Sequence, residues 1–505
     1  MKKRVFRLLT ILAFFTLFGV LAACGGGGTS GADGHTPTAP GGVEPSEEVR
    51  EEIRDIATDV VNADLNVTIT LGNWPPDTAP AQELALFDGF REVMRAQYPN
   101  VTVIPAFFSY TLANYLPMAR GGTAPNLFQP PFTDPQLLIN QGLVADVTDA
   151  LAEFGLLEKF SPSYIELLGD ENGRLFGLPR DGYVLGMHIN IDLFREAGLM
   201  DENDLPLIPT TLHEMAETGR IIRERTGAAG LVFPASETFG GWLFSNMAWN
   251  FGAFGEHAMQ YQDADGNWRA NFTSPPMVEA MYFMRSLRWD YDILNADATT
   301  TDWAGSHNIL GTGRAAMNFA ANDSVAEPTA GRGLPVDSFA LAPFPAGPGG
   351  SFALTGGTAF MFSPDTSHDQ ALAILGFLQI IGVLPVITDD TVAAMRAGAI
   401  SARDRGVPVL PPIPAWNDEE FIAQQRAIAA EFSNVDMRLY DDFFDSLVDG
   451  RISLRGEEPV FTQQMYRELT AVIQRLITRE IADVLTALEQ AEGRFQEFLD
   501  DMINR

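Results

Sequence analysis

Lysine is nearly absent from this chain of 505 residues: after Lys2 and Lys3 there is only Lys159. No glycine-rich loop precedes Lys159, which excludes a phosphate-cradling loop ending in Gly-Lys-Ser/Thr. A Schiff-base lysine would have to be Lys159 itself. Cysteine is scarcer still. Cys24 stands alone, so an internal disulfide and any multi-cysteine metal site are excluded. The six histidines (His35, His188, His213, His257, His307, His368) include no pair at the four-residue spacing of a helical zinc site. No Gly-x-Ser-x-Gly elbow occurs either. Positive charge is short overall, with 33 Lys+Arg against 66 Asp+Glu and a formal charge of -33. Binding a phosphate backbone needs clustered Lys and Arg, so no nucleic-acid partner is expected.

What is present is ample apolar bulk. Hydrophobic residues make up 46% and charged residues 20%, a globular balance that allows about three domains of ~150 residues or two larger lobes. The first seven residues carry four positive side chains, and Leu8 to Leu21 is a 14-residue run without a charge. A spanning helix needs ~20 residues, so this run reads as the apolar part of a secretory signal. It ends in Leu21-Ala22-Ala23-Cys24-Gly25, which resembles the lipobox of bacterial lipoproteins. The resemblance implies cleavage after residue 23 and acylation of Cys24, hence a membrane anchor without a spanning helix. Residues 24–46 are rich in Gly, Thr, Pro, Ala and Ser and read as a flexible tether.

Beyond the tether, helical and strand periodicities alternate. Val49, Ile53, Ile56 and Val60 predict an amphipathic helix over 47–62. Alternation over 65–71 predicts a strand, 81–97 a helix and 101–105 a second strand, an order that suggests a parallel sheet with crossover helices. Asp265-Gly266 between β-rich runs signals a hairpin. Ser274-Pro275 opens a helix with an apolar face of Met277, Ala280, Met281, Met284 and Leu287. A last helix over 481–503 carries Ile481, Leu485, Leu488, Phe495, Leu499 and Met502, with Gly493 its weak point.

Five local patterns point to one family. Gly121-Gly122-Thr123-Ala124-Pro125-Asn126-Leu127-Phe128, then Gly142-Leu143-Val144-Ala145-Asp146-Val147-Thr148, then Gly173-Arg174-Leu175-Phe176-Gly177-Leu178-Pro179 with Asn190-Ile191-Asp192-Leu193-Phe194-Arg195-Glu196-Ala197-Gly198-Leu199 come first. Gly313-Arg314-Ala315-Ala316-Met317 and Pro343-Phe344-Pro345-Ala346-Gly347 follow. Together they resemble the family 1 extracellular solute-binding proteins, the ligand receptors of ATP-driven importers. Asn126 stands where Asp is usual and His188 where an aromatic is usual.

The resemblance implies an α/β, two-lobed periplasmic-binding-protein-like fold (type II), with mixed sheets flanked by helices and hinge crossovers. Lobe 1 is expected over 47–180 and 356–395, lobe 2 over 181–355, and a mainly helical part over 396–505, mostly with lobe 2. Ligand with higher affinity for the closed form shifts the population toward it, and no catalytic group is required.

A sugar site needs aromatic faces beside fixed carboxylates and amides. The segment Ser236-Glu237-Thr238-Phe239-Gly240-Gly241-Trp242 supplies that combination on a loop that glycine loosens. It resembles the segment in which sugar-binding members carry a Glu, an aromatic and a Trp. By the same carry-over, Asn73 and Trp74 end the first strand, Gln129 ends the second, Asp181 sits at the hinge, and Asn322 and Asp323 follow the Ala-Ala-Met strand. Trp416 is a further candidate in a Pro-rich turn. For any single Trp the competing reading is core packing.

Sparse basic residues argue against an anionic ligand. The expectation is therefore a neutral oligosaccharide delivered to ABC permease and ATPase subunits, by a monomer held on the outer face of the cytoplasmic membrane. No cofactor and no metal is expected. Asp263-x-Asp265-Gly266-Asn267 begins like a calcium loop, but Ser274 occupies the place of its bidentate Glu. Acid pairs such as Asp389-Asp390 and Asp441-Asp442 read as solvated faces. A non-sugar solute, a sensory lipoprotein handing ligand to a receptor kinase, and a polysaccharide-active enzyme remain alternatives.

Overall fold

The computed structural model describes residues 64–77, 81–180, 182–387 and 389–504. The signal, the tether with Cys24, the helix expected over 47–62 and Asp181 lie outside the described residues. The chain forms two compact units. The first holds the chain through Gly182, then Gly357–Ala402 and Val409–Phe432; the second holds Tyr183–Gly356, Arg403–Pro408 and Ser433–Arg505.

In chain order the strands are β1 (Thr68–Leu71), β2 (Thr102–Pro105), β3 (Leu127–Phe128), β4 (Gly177–Pro179), β5 (Tyr183–Asn190), β6 (Ala229–Val232), β7 (Gln260–Gln262), β8 (Trp268–Ala270), β9 (Ala315–Ala321), β10 (Phe339–Pro343), β11 (Phe352–Gly356), β12 (Ala359–Phe362) and β13 (Ser453–Arg455). The first unit builds a sheet in the order β2-β1-β3-β12-β4, with β1 parallel to β2 and β3 and with β12 antiparallel to β3 and β4. The second builds β13-β11-β5-β9-β6, with β10 also on β5. Both sheets are mixed and carry helices, the α/β architecture expected. The first two of the chain's crossings between the units fall between β4 and β5 and between β11 and β12, and within each unit the flanking strands pair antiparallel.

The strand-helix-strand opening follows the sequence pattern: Ala81–Gln97 is a helix and Thr102–Pro105 the next strand. Its hydrophobic core includes Ile69, Leu71, Phe87, Met94, Phe128 and the helix His368–Ile380, whose run from Ala371 to Leu378 is buried. Asn126 replaces the usual Asp without leaving a gap. Its carboxamide accepts from the Thr70 N–H at 2.8 Å and donates to Thr366 Oγ1 at 3.3 Å.

In the second unit, β7 and β8 form the expected hairpin, with Gly266 at φ 81° in its turn. Asp263 is a turn acceptor, taking the backbone N–H groups of Asp265 and Asn267, and pairs with Arg269 at 2.7 Å. Helix Pro275–Trp289 buries all five residues of its expected face. The C-terminal helix differs from expectation. It runs Val484–Met502, capped by the Asp483 side chain at 2.7 Å, and leaves Ile481 outside it at 97% exposed. Leu485 and Met502 are exposed as well, so the buried face is Val484, Leu488, Ala491, Phe495 and Leu499. A second difference concerns the tail. Val409–Phe432 packs in the first unit, where Trp416 sits edge-on to Phe160 at 5.1 Å and Asp418 pairs with Lys159 at 3.0 Å. Contacts so distant in sequence leave no local pattern.

Candidate functional site

Parallel strands end at the same edge of a sheet, and residues just past those ends are free of ladder duties, so ligands gather there. In the first unit this edge holds three such residues. Asn73 follows β1 and bridges to Phe107, which follows β2, while Gln129 follows β3. Phe107 is 60% exposed, and Gln129 is half-buried. The Asn73 Oδ1 atom is buried without a hydrogen-bond partner, a condition that costs free energy unless a ligand or water donates to it. Nearby in the chain, Tyr110 donates to Asp134 at 2.7 Å, and burial pushes the Asp134 carboxyl up from its ordinary value.

Trp74 does not join that surface. It is 7% exposed, stacks on Phe377 at 6.0 Å and meets Phe87 edge-on at 5.1 Å. Its backbone N–H is tied to the Ala106 carbonyl, which turns the side chain inward. Trp416, 5% exposed against Phe160, is a core residue for the same reason. Both leave the list of ligand candidates.

The second unit gathers more. Because β5 runs antiparallel to β9 and β11, while β6 is parallel to β9 and β13 to β11, the carboxyl ends of β6, β9, β11 and β13 share an edge with the start of β5. Tyr183 opens β5. Its ring lies against Gly356, where any Cβ would come within 2.3 Å of the Tyr183 hydroxyl oxygen. Past β9 come Asn322 and Asp323; past β13 come Glu457 and Glu458; past β6 the chain reaches Ser236, Glu237 and the helix Phe239–Phe251. Backbone bonds from Ala235 N to Ala298 O (2.9 Å) and Ser236 N to Thr301 O (3.2 Å) bring Trp303 alongside.

Trp242 is the centre of this group. It meets Tyr183 at 6.1 Å and 75° and Trp303 at 5.5 Å and 73°, while Phe239 stacks on Trp303 at 6.1 Å. Trp242, Trp303, Phe239 and Tyr183 are all half-buried. Glu457 accepts from the Tyr183 hydroxyl at 3.4 Å. Burial, and after it the Glu457 and Asp323 carboxylates, hold the Tyr183 hydroxyl well above its ordinary pKa. Glu237 is exposed, with a left-handed φ of 52°. Asn322 has a structural duty, since its Oδ1 accepts the Val184 N–H at 2.7 Å.

The glycines of this segment do not loosen a loop, as the sequence had suggested. Gly240 and Gly241 lie in the first turn of a helix, and a Cβ on Gly241 would stand 2.2 Å from the Tyr466 carbonyl oxygen. They let the helix Phe239–Phe251 lie directly on Thr462–Thr478, with the Gly241 N–H donating to Thr470 Oγ1 at 2.8 Å. Below the aromatic group, Glu458 is buried and accepts from Trp249 Nε1 at 2.9 Å; burial raises its carboxyl to about 7.

Sequence reasoning missed Tyr183, Trp303, Phe107, Glu457 and Tyr466. The first two carried a readable signal, an aromatic just past the hinge motif and a Trp at a helix start, but Glu457 arrives only through the β11–β13 pairing. Another depression of about 410 Å³, lined among others by Glu196, Arg223, Asp297 and Arg314, contains none of the candidate residues. Among the described residues no group of His, Cys, Asp or Glu is placed to hold a metal ion.

Residues 81–379 match the bacterial extracellular solute-binding protein family. The chain belongs to that family. A solute-binding protein of this kind is a receptor and not an enzyme. Solved structures agree on the fold. The ABC substrate-binding protein Lmo0181 from Listeria monocytogenes, in complex with cycloalternan, superposes with a TM-score of 0.60 at 14% identity, covering 86% of this chain and 99% of its own. UgpB from Mycobacterium tuberculosis, with glycerophosphocholine, gives 0.60 at 18% identity over 88% and 100%. Maltose-bound MalE3 of T. maritima gives 0.58 at 20% identity over 86% and 100%. No curated protein matches by sequence. Identities this low establish the fold of the solute-binding protein and leave its ligand to its own residues.

Proposed function

We propose that this solute-binding protein captures a carbohydrate, an oligosaccharide without anionic groups, by closing on it, and delivers it to the permease and ATPase subunits of an ABC importer. The observation that carries the reading is the half-buried group Tyr183, Phe239, Trp242 and Trp303 beside carboxylates at one edge of the second unit's sheet. Aromatic faces take the C–H surfaces of sugar rings, and fixed acceptors take their hydroxyls. The amides Asn73 and Gln129 and the exposed Phe107 supply the same kinds of contact on the first unit. Asp181 adds a carboxylate at the hinge by family resemblance. We further propose a monomer acylated at Cys24 and held on the outer face of the cytoplasmic membrane, consistent with the apolar run of Leu8 to Leu21 and with the absence of a membrane-crossing helix among the described residues.

Calorimetry of the mature chain against a panel of neutral oligosaccharides tests the ligand class. Micromolar or tighter binding of one glycan, weakened at least about tenfold by Trp242→Ala, is the expected result, since the loss of one aromatic anchor commonly costs ~2 kcal/mol. Binding of a peptide or polyamine with no response to any glycan overturns it. For the anchor, Cys24→Ser is expected to move the protein from the membrane fraction to the soluble one.

A further inference from the structure

Helix Trp303–Gly311 carries one wall of the aromatic group at its start and a buried histidine one turn later. The rings of Trp303 and His307 meet at 4.6 Å and 87°, a closer approach than Trp303 makes to Trp242 or to Phe239. His307 is completely buried, yet neither of its ring nitrogens has a hydrogen-bond partner. A buried polar atom nearly always has one, because leaving it bare costs free energy. The sheet face beneath the helix does not supply it. His188 and Asn318 are register partners on β5 and β9; His188 donates from Nε2 to the Ala321 carbonyl at 3.0 Å, and Asn318 donates to Ser306 Oγ at 3.3 Å. His188 Nδ1 and Asn318 Oδ1 are themselves buried without partners, so neither accepts from His307. Burial, and after it the charges of His188 and Arg332, hold the His307 imidazole well below its ordinary pKa. The ring is therefore neutral near pH 7 and carries one N–H and one bare nitrogen.

We propose that the His307 N–H donates to the indole face of Trp303, and that His307 is thereby a positioning residue of the solute site. The inference rests on the reading of this edge as that site and adds how one of its walls is held. A perpendicular ring pair sets the positive edge of one ring against the negative face of the other, and an N–H in that edge strengthens the contact. Of the three rings that meet Trp303, Phe239 and Trp242 are half-buried members of the site, and His307 alone lies in the core. The core contact sets the indole plane before a ligand arrives, which spares binding the entropy of immobilising a large side chain. The fold alone would be served better by an apolar side chain of that size, so the cost of the bare imidazole points to the site.

The test uses the mature chain labelled with 5-fluorotryptophan, in which Trp303→Phe assigns the Trp303 fluorine signal, beside calorimetry with maltotetraose, cellotetraose and xylotetraose. His307→Leu removes the donor, and His307→Gln puts an amide N–H in its place. In His307→Leu the Trp303 signal is expected to shift and broaden and the melting temperature to hold or rise. Affinity for whichever tetrasaccharide binds should fall about three- to tenfold, the range for losing one preorganised side chain. His307→Gln should restore much of the line width and of the affinity. A histidine that only supports the fold gives another pattern, with stability and affinity falling together in both variants, and that result overturns the proposal. Unchanged affinity in both variants also overturns it and leaves the carbohydrate reading standing. Binding of none of the tetrasaccharides counts against the carbohydrate reading alone; the fluorine comparison needs no ligand, and an unmoved Trp303 signal in His307→Leu then overturns the proposal while a shift that His307→Gln restores supports it. Nitrogen-15 labelling of the histidines decides on the unsubstituted chain should a variant fold poorly: a His307 ring N–H proton moved upfield by the indole ring current supports the proposal, and one at the ordinary imidazole position overturns it.

Discussion

The strand-end surfaces of the two units obey the same topological rule with different chemistry. In the first, three parallel strands present amides and one exposed ring, Asn73, Gln129 and Phe107, while the local acid Asp134 is hydrogen-bonded by Tyr110 and Thr133. In the second, four carboxyl ends and the start of β5 bring rings and acids together. The same contrast runs through the tryptophans. Trp74 and Trp416 are sealed in the first unit's core, and Trp242 and Trp303 are half-buried at the second unit's edge. A tryptophan therefore marks a site only where its neighbours leave a face open.

The largest effect should come from breaking that contrast directly. Trp74→Ala removes a buried indole that touches Phe87 and Phe377, and is expected to cost the first unit ~3–5 kcal/mol, the usual range for emptying a large aromatic position. Trp242→Ala should cost clearly less stability while weakening ligand binding about tenfold or more. Denaturant titration and calorimetry on both variants separate the two. A Trp242→Ala protein with wild-type affinity would return Trp242 to the core class.

The units should also differ in their response to acid. In the second, His188 and His307 are buried with ring centroids 5.7 Å apart; burial lowers the pKa of both, His188 to about 4, and His188 and then Arg332 disfavour His307 protonation further. An imidazole whose folded pKa is depressed leaves the unfolded chain binding more protons. Stability is thus complete above the unfolded value of ~6.5 and is lost as pH falls toward 4, by about 3 kcal/mol for His188 alone. Glu458 opposes this: with its pKa raised to about 7, its contribution is complete below ~4.5 and is lost as pH rises through 7. Asp134 has the same sign in the first unit, where the described residues hold no comparable buried histidine. Stability curves at pH 7 and pH 5 should show the second unit weakening on acidification, and His188→Phe should reduce that loss.

A smaller effect tests the helix contact beneath the site. Gly241→Ala sets a Cβ against the Tyr466 carbonyl and should cost ~1–3 kcal/mol, as overpacking does. Gly493→Ala, in a helix with nothing within 4 Å of the added carbon, should instead stabilise by up to ~1 kcal/mol. Thermal melts of the pair give opposite signs if the Gly240-Gly241 pair serves packing.

Much of the fold was legible because its signals are local. The helix Ala81–Gln97, the hairpin at Gly266 and the buried face of Pro275–Trp289 each follow from periodicity and turn chemistry within a few residues. The site was legible in part: Glu237, Phe239 and Trp242 lie in one segment and do share an edge with Asp323. What failed was local in appearance and nonlocal in cause. Trp74 looks like a strand-end residue until the Ala106 carbonyl fixes its backbone, and Ile481 fits the last helix's period until Asp483 caps the helix after it. Glu457 could not be read at all, because four strand pairings, β13–β11, β11–β5, β5–β9 and β9–β6, lie between it and the segment of Trp242, and more than 200 residues separate them in the chain.

The smallest expected effect concerns Glu237, and it sharpens the comparison at one residue. An L-residue with φ of 52° sits in the left-handed region, at a cost of roughly 1–2 kcal/mol relative to glycine, and this one is exposed. Nothing in the packing demands a carboxylate there, whereas a ligand-facing acid next to Phe239 and Trp242 would justify the strain, as strained residues at binding sites do. Glu237→Gly should therefore raise the stability of the second unit by up to ~1 kcal/mol and weaken binding of the glycan that calorimetry identifies. Glu237→Gln keeps the backbone strain and removes only the charge. If both variants weaken binding, the carboxylate touches the ligand. If Glu237→Gly gains stability and neither loses affinity, Glu237 is a turn residue, and the acids of this edge reduce to Asp323 and Glu457.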